Sequence, residues 1–262
     1  MQLQPITIAA LSLLAMSAAA GLGMLLRKVL PDHHKDDKSL DAVIRAIGLV
    51  VTLTALVLGF FVNSAKSYYD GLSGDLRELG ADLGAVDRTL ERYGPVAAPL
   101  RDELRVCGGI AVRIMWPDHA TGLPDARKTP RQCLEDLQDG MHALPADDPR
   151  QQRLRDQAIQ VAATIERQSL LLGEMSTSHM QMPLLVVLVA WLSTIYLGFG
   201  LVWPRSGTAI VSLALSATVC AGAILMILEL YAPLSGLISI DPAVIEVPLR
   251  PTAIVDAPPP LR

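Results

Sequence analysis

The sequence predicts an all-α membrane protein: four transmembrane helices in two pairs, with a helical aqueous domain inserted between the second and third spans. Three observations carry that prediction. Residues 1–26, 46–65, 175–204 and 206–228 contain no Asp, Glu, Lys or Arg, and each block holds about 20 mainly apolar residues, enough at ~1.5 Å rise each to cross a ~30 Å hydrocarbon core. Charge collects instead in residues 67–174, with 13 basic and 18 acidic residues. Within that segment apolar residues recur at helical spacing and no strand-like alternation competes. A chain 51% hydrophobic and only 18% charged, with mean hydropathy +0.39, is too apolar for an ordinary soluble domain.

The boundaries read as follows: 1–66 for the first pair, with spans about 6–27 and 43–66; 67–178 for the aqueous domain; 179–233 for the second pair, with spans about 182–203 and 207–231; and 234–262 for a proline-rich tail. The first span has no basic residue before it and Arg27-Lys28 after it. A secretory signal has the opposite polarity, so the segment reads as a retained anchor. Its Ala9, Ala10, Ser12, Ala15, Ala18, Ala19 and Gly21 are small enough to let a neighbouring helix approach closely in lipid. The loop after it holds His33-His34 among Asp32, Asp36 and Asp37. The pair is a weak metal candidate, because adjacent loop residues rarely aim both imidazoles at one ion and no wider ligand spacing supports them.

The second span places Arg45, Gly48, Thr52, Ala55, Gly59, Asn63, Lys66 and Asp70 in steps of three and four, so its small and polar side chains share one face. Two readings fit. The stripe lines a pore, with Arg45 and Lys66 as cationic rings at its mouths, a sign that favours anions. Alternatively it packs on the small-residue face of the first span. Phe60 and Phe61 adjoin the stripe, and Tyr68-Tyr69 stand where aromatic rings anchor a membrane interface.

Beyond the tyrosines the helical pattern continues. Leu72, Leu76, Leu79, Leu83, Val86 and Leu90 form a heptad seam that Gly94-Pro95 ends. A helix from 96 to 116, a short helix at 131–144 and a long one from near Pro149 follow. In the last, Leu154, Ala158, Val161, Ile165 and Leu172 repeat the seam, interrupted by Gln168, as a coiled-coil-like partner of the 72–90 helix requires. Cys107 and Cys133 sit on successive helices of this domain; they are either two buried thiols or a disulfide formed in an oxidising compartment. Glu229 is an acidic residue at membrane depth, placed one turn before Pro233, where anchoring at the interface and a cation- or proton-binding role both fit. Prolines at 233, 242, 248, 251 and 258–260 make the tail read as extended or disordered.

Orientation follows the short-loop cations Arg27, Lys28, Lys35, Lys38 and Arg205, with Arg45 close by. They put both short turns in the cytoplasm, with the central domain and both termini outside. No basic patch suggests nucleic acid. No nucleophile motif, phosphate loop or paired carboxylates suggests an enzyme, and no cofactor is implied.

The stretches LPDHHK, ALVLGFFVNSAKSYYD, VDRTLERYGP, RIMWPD, LVVLVAWLSTIYLGFG and AILMILELYAPLSGLISI, in this order over roughly residues 5–240, resemble the bacterial bestrophin-like domain family. The resemblance implies multi-pass residence in a bacterial inner membrane and a distant relation to the bestrophins, anion channels built as pentamers around their second span. It implies a homo-oligomer in the bilayer, an anion such as chloride as the conducted species, and Arg45, Gly48, Thr52, Gly59, Phe60, Asn63 and Lys66 as pore-lining candidates. No acidic cluster here matches the bestrophins' calcium clasp, so calcium gating does not carry over. The competing function is a non-conducting membrane-anchored sensor or scaffold whose aqueous helices bind a protein partner.

Overall fold

The computed structural model describes residues 5–29, 37–117, 128–176, 182–203 and 206–250. It is helical throughout: α1 (Pro5–Val29), α2 (Asp37–Tyr93), a 3-10 turn (Pro95–Ala97), α3 (Ala98–Met115), α4 (Pro130–His142), α5 (Pro149–Ser176), α6 (Met182–Val202), α7 (Gly207–Leu230), α8 (Ala243–Glu246) and a closing 3-10 turn (Val247–Leu249). Among the described residues there is no strand. Four helices, α1, α2, α6 and α7, are long and apolar enough to cross a membrane. His33 and His34 lie outside the described residues.

The chain forms two compact units. The first comprises Met1–Tyr69 and His179–Ile238, and therefore the apolar parts of all four long helices. Its core gathers Met16, Leu188, Leu192, Ala217 and Ile224. What sets its geometry is a backbone-to-backbone contact. A Cβ added at Gly23 of α1 would collide with the Leu197 carbonyl of α6, and one added at Gly200 of α6 would collide with the Ala20 carbonyl of α1. Two helices this close gain dispersion contacts along both backbones, the main source of association where lipid is as apolar as the side chains. Arg27 closes the same pair, its guanidinium donating to the Val202 carbonyl at 2.8 Å, one of the acceptors that the end of α6 leaves without an intrahelical partner. Ser206 caps the start of α7 by accepting from the Ala209 N–H at 3.2 Å.

The second unit comprises Asp70–Ser178 and the chain from Ser239 onward. The heptad seam is its core: Leu72, Leu76, Leu79, Leu83, Val86 and Leu90 are all buried on α2, and Ala158, Ile165 and Leu172 on α5, while Leu154 and Val161 are half-buried. α2 stops where Gly94 takes φ +118, a conformation in which a Cβ is strained, ahead of Pro95. Thr129 starts α4 with a reciprocal capping box to Gln132.

The tail departs from expectation. Read as extended or disordered because of its prolines, its described part folds onto the second unit. Ile240, Ile245 and Leu249 are buried, and the Trp116 indole N–H donates to the Ile240 carbonyl at 2.7 Å. Pro242 occupies the N-cap of α8 and Pro248 the first turn of the closing 3-10 element, positions where the missing N–H is not needed. Glycines make the room: a Cβ at Gly80 would strike the Val244 carbonyl, and one at Gly108 the Leu249 side chain. A buried ion cluster holds the same region. Asp87, 5% exposed, accepts from Arg101 at 3.0 and 2.9 Å and lies 3.5 Å from Arg105, whose Nε donates to the Leu249 carbonyl at 3.1 Å. The hydrogen bonds to Asp87 hold the Arg101 guanidinium above its ordinary range, against the opposing effect of burial.

Two predictions follow from the glycine contacts. Gly23→Leu should destabilise the detergent-solubilised protein by about 1–3 kcal/mol or more, the cost of overpacking, whereas Gly21→Leu, which meets nothing within 4 Å, should leave the melting temperature nearly unchanged. In a Trp191→Phe/Trp203→Phe background Trp116 is the remaining indole of three. Adding Gly80→Val should then shift its emission to the red as the 239–250 segment is displaced; Gly74→Val, which meets open space, should not.

Candidate functional site

The span of α2 has two faces, set two residues apart in register and so roughly opposite on a helix. One packs on its own chain. Thr54 and Ala65 are buried at 4% and 0% exposure, and Leu58, Phe61 and Val62 are partly buried against Ile227 and Leu230 of α7. Ile47 fills the space over Gly198 of α6. Thr54 can lie there because its hydroxyl donates to the Val50 carbonyl at 2.7 Å, which satisfies the one strong donor it brings.

The other face is the small and polar stripe. Arg45, Gly48, Thr52, Ala55, Gly59, Asn63 and Lys66 are all exposed, and a Cβ added at Gly48 or Gly59 would meet nothing within 4 Å. Phe60 flanks them, 68% exposed, with its ring centroid 6.4 Å from that of the partly buried Phe61. Thr52 turns its hydroxyl back to the Gly48 carbonyl at 3.0 Å, and Arg45 lies 3.7 Å from Asp41 one turn away. The stripe therefore does not pack on the first span of its own chain, whose Ala10 and Ala18 are themselves exposed. Of the most apolar window of each span, 6% is buried within the chain for α2 against 28–33% for α1, α6 and α7.

At the Tyr68 end of the span the ring of Tyr68 meets Tyr231 at 5.4 Å between centroids, and Ser64 Oγ lies 3.3 Å from the Tyr231 hydroxyl. Glu229 is buried, 4% exposed, and its Oε2 accepts the Leu237 backbone N–H. Sequence reasoning flagged the carboxylate but not this partner, since a backbone donor eight residues away leaves no mark in side-chain spacing.

In the second unit the structure joins Cys107 to Cys133 in a disulfide, with a Cα–Cα distance of 5.7 Å. Glu103, one turn before Cys107 and not singled out from sequence, completes a group with metal-ligand proximity to both sulfurs. With the sulfurs bonded to each other neither offers a thiolate, the form that binds metal, and the Glu103 carboxylate instead takes a 2.6 Å contact from Lys128, which also reaches Asp136 at 2.8 Å. Those two hydrogen bonds, Asp136 first, push the Lys128 ammonium up to about 12. A pKa raised on folding contributes stability that is whole below the ordinary lysine value and lost as pH rises through about 12, so the clamp is insensitive to pH near neutrality.

Residues 13–245 match the family model of the bestrophin-like domain. The chain belongs to the bestrophin-like family. No curated protein and no solved structure matches it. The bestrophin-like match and the four apolar helices make it a membrane protein of the bestrophin family; α2, which carries the exposed stripe, lies wholly within the matched range.

In the unreduced protein a thiol reagent should modify Cys220 alone after denaturation. Cys107→Ser/Cys133→Ser should cost the second unit about 3.5 kcal/mol on the loop-entropy account for a 26-residue separation, measured by denaturant unfolding followed through Trp116.

Proposed function

We propose that the protein is an oligomeric anion channel whose second span lines the pore. One observation carries the reading: the face of α2 that holds Arg45, Gly48, Thr52, Gly59, Asn63 and Lys66 is exposed on the single chain while the opposite face packs on α6 and α7. An asparagine and terminal cations turned to lipid cost free energy, roughly 3 kcal/mol or more for a charge at the bilayer centre and less near its edges. A ring of subunits removes that cost by turning the stripe to water. It also covers the Leu49, Leu56 and Phe60 flank, which is exposed as well, against the neighbouring copy. Small residues keep such a pore open, and cationic rings from Arg45 and Lys66 at its mouths attract anions of chloride type.

The helices then divide into two pairs around the aqueous unit. That unit faces an oxidising compartment, a placement that the Cys107–Cys133 bond favours and that the short-loop cations favour independently. A pentamer is what kinship with the bestrophins suggests.

Mass measurement in detergent and conductance in planar bilayers test this together. A ring should carry anion-selective current, and Lys66→Glu or Arg45→Glu should move the reversal potential toward cations while leaving the particle mass unchanged. A monomer, or an intact ring silent at all voltages and salts, would leave the aqueous helices as a scaffold or sensor and the spans as anchors.

A further inference from the structure

We propose that Glu229 is a positioning residue, the staple of a turn that braces α2 behind its Asn63–Lys66 segment, and not an ion- or proton-binding carboxylate. The inference rests on the reading of α2 as the functional span. α7 ends at Leu230, and the chain turns at once: the Ala232 N–H donates to the Glu229 carbonyl at 3.0 Å, and the Gly236 N–H to the Ala232 carbonyl at 3.0 Å. The Glu229 side chain closes this turn from inside by accepting the Leu237 N–H. Its Oε2 occupies the space where a Cβ on residue 236 would lie, so the glycine leaves room for the carboxylate.

The closed turn fixes what precedes and follows it. Leu230 and Ile227 pack on Ala65 of α2, which is wholly buried, and Tyr231 sets its ring on Tyr68 and its hydroxyl beside Ser64. Ser64, Ala65 and Tyr68 lie on the turns of α2 whose far side presents Asn63 and Lys66. A rotation of α2 that turned those two residues would have to slide Ala65 past Ile227 and Leu230, and a packed contact with no void resists such a slide. A carboxylate committed to a backbone donor and walled in by Gly236 serves this bracing role. A leucine or alanine in its place would take from the part-buried Leu237 N–H the acceptor that closes the turn.

The test separates acceptor from charge. In a Cys220→Ser background, Ala65→Cys should be protected from an impermeant maleimide. Protection should persist with Glu229→Gln, whose amide oxygen still accepts, and fall with Glu229→Ala, with labelling at least several-fold faster. Tyr231→Leu keeps the staple but removes the brace on Ser64 and Tyr68, and should expose the same cysteine. It also decides the matter if the alanine variant does not fold. Bilayer currents should follow the same split, near wild type for Gln and reduced for Tyr231→Leu. Equal effects of Gln and Ala, or labelling unmoved by Tyr231→Leu, overturn the inference. The labelling split in a protein that carries no current supports it and overturns only the channel reading.

Discussion

The arrangement of the spans depends on the contact of α1 with α6 at Gly23 and Gly200, where each helix presses on the other's carbonyl oxygens. In a medium that gives apolar side chains no reason to leave it, backbone proximity is the strongest available attraction between helices, and small residues are what permit it. α1 gives Ala20 and Gly23 to α6, while its Ala10 and Ala18 stay exposed and its Gly21 meets nothing within 4 Å. The second span is held by larger contacts, Ile47 on Gly198 and Ala65 beneath Ile227 and Leu230, which fix its rotation and leave the stripe of Gly48, Thr52, Gly59 and Asn63 facing away from its own chain. The exposed polar face is thus the reverse of the face by which α2 packs on α6 and α7.

The second unit solves a different problem. Its seam residues on α2 and α5 are buried in the manner of any water-soluble helical core, but the unit also buries charge. Asp87 is tolerable inside because two guanidiniums meet it, one of them bidentately, and a buried ion so surrounded is costly to disrupt though of modest net value. Arg105 extends the cluster to the Leu249 carbonyl, so the electrostatic centre and the docked 239–250 segment share one residue. Removing the segment would take from the Arg105 Nε its carbonyl acceptor while its contacts with Asp87 and Asp102 remain.

How much of this was legible depends on whether a feature shows its cause in its own residues. The apolar blocks, the heptad from Leu72 to Leu90 and the proline and glycine stops did, since length and periodicity are properties of single segments, and the helices fall where those signals put them to within a few residues. The stripe on α2 was visible as a face, but its direction was not: the choice between packing and exposure turned on Ile47 over Gly198 and Ala65 beneath Ile227 and Leu230, contacts that leave no mark until the partner helices are in place. The tail misled because proline count reports extended chain, whereas Pro242 and Pro248 start short helices that only the notch at Gly80 and Gly108 makes worthwhile. Glu229 stood out as costly, yet the donor that satisfies it is a main-chain N–H with no side-chain signature.

The docking of residues 239–250 has a consequence for biosynthesis. These residues complete a unit whose other members begin at Asp70, and they leave the ribosome after all four apolar helices. Until then Trp116 lacks the acceptor for its indole N–H, and the hollow over Gly80 and Gly108 stays unfilled. The second unit therefore cannot reach its final packing until α6 and α7 have been made. A nascent chain that stalls before Ile240 presents an incomplete core, the kind of exposed apolar surface by which quality-control machinery distinguishes an unfinished membrane protein from a finished one.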